Sequence, residues 1–249
     1  GYFALANLNY NGAHYNTAVG FSAGEVMTTG IYNTLLGGLA GDAITTGVRN
    51  TALGTFALTN TTTQSNNTAI GYNALTTNVN GGRNTAVGTD ALALMNPSSS
   101  GNSYNAAFGY GAGANMTTAF QNTLLGSRAG VEITTGNYNT AVGYDAGYSI
   151  TTGTLNTLIG SLAGDALTTG GSNVAVGYFA LATEDAHGQN VAVGNRALAN
   201  QNAGSTAYNT AVGNDAGYGI TTGIQNTIVG GLAGDALTTG SNNTVLGTF

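Results

Sequence analysis

The chain has 249 residues, a net charge of −6 and only 6% charged residues. Its basic residues are Arg49, Arg83, Arg128 and Arg196, and it contains neither lysine nor cysteine. The lack of lysine excludes a nucleotide-binding P-loop and a Schiff-base lysine, and the lack of clustered basic residues argues against nucleic acid as a partner. No apolar run approaches the roughly 20 residues of a membrane helix, so we expect no membrane insertion.

An asparagine recurs along the chain with a 17-residue period in most places. Two intervals are longer: a 21-residue interval from Asn84 to Asn105 and a 19-residue interval from Asn190 to Asn209. These intervals predict insertions at about 95–104 and 199–208 that leave the register of the later repeats intact. The recurring residues, here called the anchor asparagines and numbered position 0 of each repeat, are Asn16, Asn33, Asn50, Asn67, Asn84, Asn105, Asn122, Asn139, Asn156, Asn173, Asn190, Asn209, Asn226 and Asn243.

Each anchor is followed by a glycine at position 4 and, where the chain reaches it, by an alanine at position 7. Many repeats close with Thr-Thr-Gly, as at 28–30 and 238–240. We expect the position-4 glycines to form turns with positive φ. These turn glycines are Gly20, Gly37, Gly54, Gly71, Gly88, Gly109, Gly126, Gly143, Gly160, Gly177, Gly194, Gly213, Gly230 and Gly247.

The short repeat predicts the fold class. The 17-residue unit is too short for a pair of helices, whereas two short strands with tight turns fit it. Thr17, Ala18 and Val19 favour a strand, and the Ile-Thr-Thr-Gly segment predicts a second strand with its turn. The sequence therefore predicts an all-β fold, a β-solenoid of about fourteen 17-residue rungs.

The rungs are expected to form a single repeat array over residues 1–249. Because the chain begins and ends within a repeat, and solenoids need capping rungs, we expect it to be a fragment of a longer fibre. The anchors have two interpretations: a ladder of side-chain amides along the stack, or simple turn formers.

Two neighbouring positions of the first strand are apolar, and neighbouring strand residues point to opposite faces. Position 3 is always large, as in Val19 and Phe108, and is expected to fill the interior. Position 2 is alanine or aliphatic, as in Ala18 and Leu158, and needs a second dry surface. Another copy of the chain supplies such a surface, so we expect the solenoid to be intertwined or packed as a homotrimer.

The repeats at 16–20 (Asn-Thr-Ala-Val-Gly) and 67–75 (Asn-Thr-Ala-Ile-Gly-Tyr-Asn-Ala-Leu) carry a resemblance over the whole chain. The chain resembles the head repeats of trimeric autotransporter adhesins and the repeats of bacteriophage tail fibres. The resemblance implies a left-handed β-roll in a homotrimeric fibre that serves attachment. The 17-residue period is longer than that of the adhesin heads.

The sequence offers no catalytic set, because His14 and His187 lie about ten rungs apart and no H-E-x-x-H motif is present. We therefore expect no enzyme activity, no cofactor and no metal site. The recurring aspartates indicate either calcium binding or turn formation, and turns are favoured because equivalent aspartates do not occupy successive rungs. Those aspartates are Asp42, Asp90, Asp145, Asp165, Asp215 and Asp235.

The two insertions are either recognition loops or tolerated spacers. The candidate recognition residues are Asn102, Tyr104, Asn202 and Tyr208, with a host-surface receptor or glycan as the expected partner. The sequence thus predicts a structural and adhesive fibre shaft, outside the cell or on a virion, as a phage tail fibre. The alternative is an adhesin or filament on the bacterial cell surface, and the third candidate is ice binding by the Thr-Thr rows.

Overall fold

The computed structural model describes residues 1–9 and 12–248, and no helix occurs among them. The residues form two compact units, Gly1–Asn122 and Thr123–Phe249. Each unit is a parallel β-solenoid, and the two units together have about fourteen turns, one for each three-residue strand. The predicted all-β solenoid is therefore confirmed.

Each rung contributes one short strand to a parallel sheet. The strands of the first unit are β1 (Thr17–Val19), β2 (Thr34–Leu36), β3 (Thr51–Leu53), β4 (Thr68–Ile70), β5 (Gly81–Gly82), β6 (Thr85–Val87), β7 (Gly101–Asn102) and β8 (Ala106–Phe108). Those of the second unit are β9 (Thr123–Leu125), β10 (Thr140–Val142), β11 (Thr157–Ile159), β12 (Val174–Val176), β13 (Val191–Val193), β14 (Thr210–Val212), β15 (Thr227–Val229) and β16 (Thr244–Leu246). β5 pairs only with β7, outside the main sheet of its unit.

Equivalent residues of successive rungs lie directly opposite one another within the main sheets. Thr140 pairs with Thr157, for example, and Val142 pairs with Ile159. Since parallel strands lie about 4.8 Å apart, each repeat position forms a straight row along its unit. A side chain that suits one rung therefore meets copies of itself above and below.

The interior and exterior rows of the strand are the reverse of the prediction. Side chains at position 2, such as Leu35, Ala141 and Leu158, are fully buried in the interior. Side chains at position 3, such as Leu125 and Ile159, lie on the outside and are 49% and 39% exposed. The expectation that position 3 fills the interior and position 2 needs a second surface is wrong. The interior is narrow because it also holds positions 7, 8 and 11, so it accepts the smaller side chains of position 2.

A ribbon of turns follows the strand in each rung. In the rung of β10, the amides of Ala146, Tyr148 and Ile150 donate to carbonyls three residues earlier, at 3.4, 3.3 and 3.2 Å. The amides that alternate with them, on Asp145, Gly147 and Ser149, donate instead to neighbouring rungs. Asp145 and Gly147 both have positive φ, 54° and 59°. The amides of this ribbon are thus hydrogen-bonded although the backbone is not extended.

The Thr-Thr-Gly segments do not form the predicted second strand. The amides of Thr28, Thr29 and Gly30 all donate to the carbonyl of Thr45, at 2.9, 3.3 and 3.2 Å. Three donors that converge on one acceptor require a curled backbone, whereas a strand ladder needs one acceptor for each donor. The prediction of a strand at Ile-Thr-Thr-Gly is therefore wrong.

Position 8 adjusts the volume of the core. It is held at positive φ whether it is leucine, as in Leu181 at 50°, or glycine, as in Gly164 at 57°. A Cβ on Gly164 would lie 2.8 Å from the methyl carbons of both Leu158 and Leu167. The rung of Leu181 has Ala175 at position 2, so its core has room for the larger residue. A rung therefore has room for a large side chain at position 2 or at position 8, but not at both.

Candidate functional site

The anchor asparagines form a buried ladder within each unit. Asn156 accepts a hydrogen bond at its Oδ1 from the backbone amide of Asn173 at 3.0 Å, and its own backbone amide donates to Oδ1 of Asn139 at 3.1 Å. Its Nδ2 donates to the carbonyl of Gly170 at 2.9 Å. The same pattern of amide to Oδ1 recurs between Asn33 and Asn16 at 2.8 Å. Of the two interpretations of the anchors, the structure has the ladder.

The turn glycines lie where rungs approach most closely. Gly143 has a φ of 138° and its Cβ, if present, would lie 2.5 Å from the carbonyl oxygen of Gly160 in the next rung. Gly54 and Gly71 repeat this approach at 2.5 Å to the following glycine. The obstacle is backbone, which has no rotamer to adjust. Both the conformation and the spacing require glycine here.

The outward face of the sheet is the most extensive candidate for an interaction. Positions 1 and 3 point outward, so the face carries a row that is mostly threonine, with Ala106, Val174 and Val191 as the exceptions, beside a row of larger apolar residues. None of these residues is charged. The apolar row consists of Val19, Leu36, Leu53, Ile70, Val87 and Phe108 in the first unit, and Leu125, Val142, Ile159, Val176, Val193, Val212, Val229 and Leu246 in the second.

The first insertion borders an open cleft. The cleft has a volume of about 210 Å³, and its lining includes Pro97, Ser98, Asn102 and Phe120. Asn102 lies in β7 and is exposed.

Tyr104 is 48% exposed and packs against an arginine. The guanidinium of Arg83 lies 5.4 Å from the centre of its ring, and Arg83 Nη1 donates to the tyrosine hydroxyl at 2.6 Å. In the second insertion, Asn202 is exposed and its backbone amide donates to the carbonyl of Thr221 at 2.7 Å, while Tyr208 is exposed. These side chains are accessible to a partner.

The arginines pack on tyrosine rings, which the sequence analysis did not predict. Arg49 lies over Tyr32 at 5.7 Å, and Arg196 lies over Tyr218 at 4.9 Å. Arg196 also makes a bidentate pair with Asp215, both distances being 2.7 Å. The feature of the sequence that could have revealed these contacts is the spacing of one rung between each arginine and its partners. Each pair staples neighbouring rungs at the surface.

Asp42 and Asp165, two of the aspartates at position 9, are partly buried. Asp42 and Asp165 each have an Oδ1 without a hydrogen-bond partner, and burial raises the pKa of both carboxyl groups. Backbone amides of each aspartate and the next alanine lower the pKa in part. Asp42 lies in the first unit and Asp165 in the second, so the two carboxyl groups do not form a calcium site together within one unit.

One cluster of titratable residues lies in the rung of β12. The ligand atoms of Glu184, Asp185 and His187 lie within 4.8 Å of one another. Glu184 is fully buried, and burial raises the pKa of its carboxyl group, although the backbone amide and the imidazole of His187 oppose the shift. Position 11 is apolar in most rungs, as it is at Ile133. The acidic residue at this position was therefore the signal in the sequence. His14 is in the other unit, so the two histidines are not brought together within one unit.

No helix that would be long and apolar enough to cross a membrane is present among the described residues. Comparison of the chain with protein-family models, with curated proteins and with solved structures found no match.

Proposed function

We propose that the chain is the shaft of an extracellular fibre, in which copies of the chain pack together through the outward face of the sheet. The single observation that carries this proposal is the unbroken apolar row at position 3. It is present in every rung, and most of its members have substantial exposed area, as Leu36 and Val229 do at 43% and 40%.

An apolar row of this length is expected to be buried against a partner. Eight strands at a spacing of about 4.8 Å give a strip roughly 35 Å long in the second unit. Soluble monomers rarely expose continuous apolar patches beyond about 300–600 Å², and the threonines beside the row provide no charge. Burial of the strip therefore supplies favourable free energy for association.

A second copy of the same chain is the occupant that fits this row. Both copies carry apolar side chains at the same rung spacing, so their rows match along the whole length of the contact. A foreign partner without this spacing would match at only a few rungs. Closed rotational symmetry then buries every copy equally, and we propose three copies around the fibre axis.

The recognition function is assigned to the insertions. Asn102 and Tyr104 in one loop, and Asn202 and Tyr208 in the other, are exposed polar and aromatic side chains that suit a host-surface receptor or glycan. We place the fibre on a virion, as a tail fibre, with a bacterial cell-surface adhesin as the alternative. Immunogold labelling with antibodies to the chain tests this point: particles labelled along their fibres support the first, and labelled cells without particles support the second.

The oligomeric state tests the shaft. We expect native mass spectrometry and sedimentation to give a trimer for the wild-type chain. Replacement of Ile159 and Val193 by lysine, two rungs apart on the apolar row, should dissociate it because it places charges in the contact. The control is Leu155→Lys, an exposed aliphatic residue of another row with 57% exposure, which should stay trimeric. A wild-type chain that is monomeric at tens of micromolar, with native circular dichroism, overturns the proposal.

Ice binding is the third candidate, and the outward threonine row favours it. Thr123, Thr140 and Thr157 lie in register on the sheet, but Val174 and Val191 interrupt the row. In the Thr-Thr rows, the hydroxyl of Thr134 donates to the carbonyl of Thr151 at 3.1 Å, so that proton is already used within the solenoid. Measurable thermal hysteresis would support ice binding, and its absence would remove it.

A further inference from the structure

We propose that Glu184, Asp185 and His187 form a binding site for a divalent transition-metal cation, with Zn²⁺ as the representative ion. One carboxylate oxygen of each acidic residue and one imidazole nitrogen lie within 4.8 Å of one another. The site is independent of the proposed assembly, because all three residues belong to one turn of one rung and none lies on the outward face of the sheet.

The residues depart together from the repeat. The preceding rung has Leu167, Thr168 and Gly170 where this rung has Glu184, Asp185 and His187. All three changes replace a side chain that does not ordinarily bind metals with one that does.

Glu184 is the strongest part of the argument, because its side chain is fully buried and its Oε2 has no hydrogen-bond partner. Its Oε1 accepts from the backbone amide of His187 at 3.2 Å. The imidazole Nδ1 of His187 is 3.4 Å from Oε1 and makes no hydrogen bond. A buried carboxylate is unfavourable unless its charge is compensated, and a cation bound beside Glu184 compensates that charge.

Two other polar residues at position 11 provide an internal comparison, whereas a third, the buried Gln201 of the next rung, also has an unpartnered atom, Nε2. Thr61 is buried and donates its hydroxyl to the carbonyl of Asn78 at 2.6 Å. Asn78 is also buried, and its amide group bonds to Gly81 through both Nδ2 and Oδ1, at 2.7 and 2.9 Å. These side chains are satisfied within the chain. Glu184 has one satisfied oxygen and one free oxygen, which is what a ligand site requires.

The donor set indicates the class of ion. Carboxylate oxygens together with an imidazole nitrogen suit Zn²⁺ and its neighbours in the first transition row, whereas Ca²⁺ prefers six to eight oxygen ligands. Zinc requires ligands at about 2.0–2.2 Å, so the side chains must close around the ion. Asp185 is exposed and the His187 side chain is 28% exposed, which gives the ion a path from solvent and the ligands freedom to move.

Two measurements test the site. The first is a calorimetric titration of the protein with Zn²⁺, and the second is elemental analysis of the dialysed protein. We expect one Zn²⁺ per chain, and a melting temperature that rises with Zn²⁺ and falls again with EDTA. Asp185→Thr and His187→Gly restore the residues of the preceding rung, and Glu184→Gln keeps the shape of the side chain. Each should lower the affinity by more than roughly tenfold and remove the response of the melting temperature.

The matched control is His14→Gln, which alters the histidine of the other unit and should leave binding unchanged. Asp185→Thr concerns an exposed side chain, so circular dichroism should show it folded even if a change at Glu184 disturbs the core. The proposal is overturned if the folded wild-type chain takes up no Zn²⁺ at about 100 μM, a concentration roughly 100-fold above a micromolar Kd, or if Asp185→Thr and His187→Gly bind as the wild type does.

Discussion

The backbone amide of Asn105 donates to Oδ1 of Asn84 at 3.0 Å, although 21 residues separate the two. Asn209 and Asn190, 19 residues apart, make the same bond at 3.1 Å. The ladder thus holds its geometry while the additional residues lie outside it. Side-chain amides set the stacking register, and the length of the intervening loop does not.

The ladder should therefore contribute strongly to stability. Asn156→Ala removes the acceptor for the amide of Asn173 and the donor for the carbonyl of Gly170, both in the interior. Each unsatisfied buried group costs about 1–3 kcal/mol, so we expect a loss of about 2–5 kcal/mol in the free energy of unfolding, measured in urea. Asn195→Ala, at an exposed asparagine, should change it by less than about 0.5 kcal/mol. Equal effects at the two positions would contradict a role for the ladder.

The close approach at the turn glycines predicts a severe effect of a single methyl group. Gly143→Ala places Cβ 2.5 Å from the carbonyl oxygen of Gly160 and forces a φ of 138° on alanine. We expect the free energy of unfolding to fall by at least about 2–3 kcal/mol. Gly231→Ala is the control, because its Cβ would meet only the carbonyl oxygen of Asn214 at 3.9 Å and its φ is not positive. That variant should be nearly neutral in the same urea titration.

The exclusion of bulk between positions 2 and 8 predicts coupling between two substitutions. Leu158→Ala alone should destabilise the chain by about 2–5 kcal/mol through a cavity, and Gly164→Leu alone by about 1–3 kcal/mol through overpacking. Combined, they give this rung the alanine and leucine that Ala175 and Leu181 provide in the next. A double-mutant cycle should show a favourable coupling above about 1 kcal/mol. Simple additivity would mean that the two side chains do not share one space.

Asp165 predicts a dependence of stability on pH. Burial raises the pKa of its carboxyl group in the folded chain above the unfolded value, which is about 3.9. The folded state therefore binds the proton more tightly, and the resulting stability is present below the unfolded pKa and lost as pH rises through the folded pKa. Asp165→Asn should be more stable than the wild type at pH 7 and lose this advantage near pH 3. Denaturation at several pH values checks this.

Asp235→Asn serves as the control for that series, because Asp235 occupies the same position of a later rung and is exposed. Its substitution should change the stability less at pH 7 than Asp165→Asn does. A larger gain at Asp235 would show that burial of Asp165 is not the cause.

The period, the fold class and the register across the insertions followed from the sequence because each rung repeats the same residues. The side of the strand that faces inward did not, since Ala141 and Val142 are both apolar and only the available space decides between them. The ribbon of turns after each strand was also not predicted from the sequence. Residues such as Leu181 and Asp145 adopt positive φ, which local preference alone disfavours.

For the candidate sites, the informative signal was departure from the repeat. Glu184 stands where the preceding rung has Leu167 and the following rung has Gln201, and only its burial distinguishes it from a surface residue. Asp215 and Tyr218, the partners of Arg196, lie one rung away from it, and their contact depends on the register of the stack. A motif search over contiguous residues does not find such pairs.

The core also interlocks between rungs, with consequences for how such a chain grows. A Cβ on Gly147 would lie 2.8 Å from a methyl carbon of Leu158 in the following rung, and Gly217 has the same relation to Ile228 at 3.1 Å. The segments 139–172 and 209–242 both contain this glycine-then-large arrangement and are closely similar. Gene duplication within these regions preserves packing when it copies two rungs together. We expect recombination that splits such a pair to leave a hole or a clash at the junction.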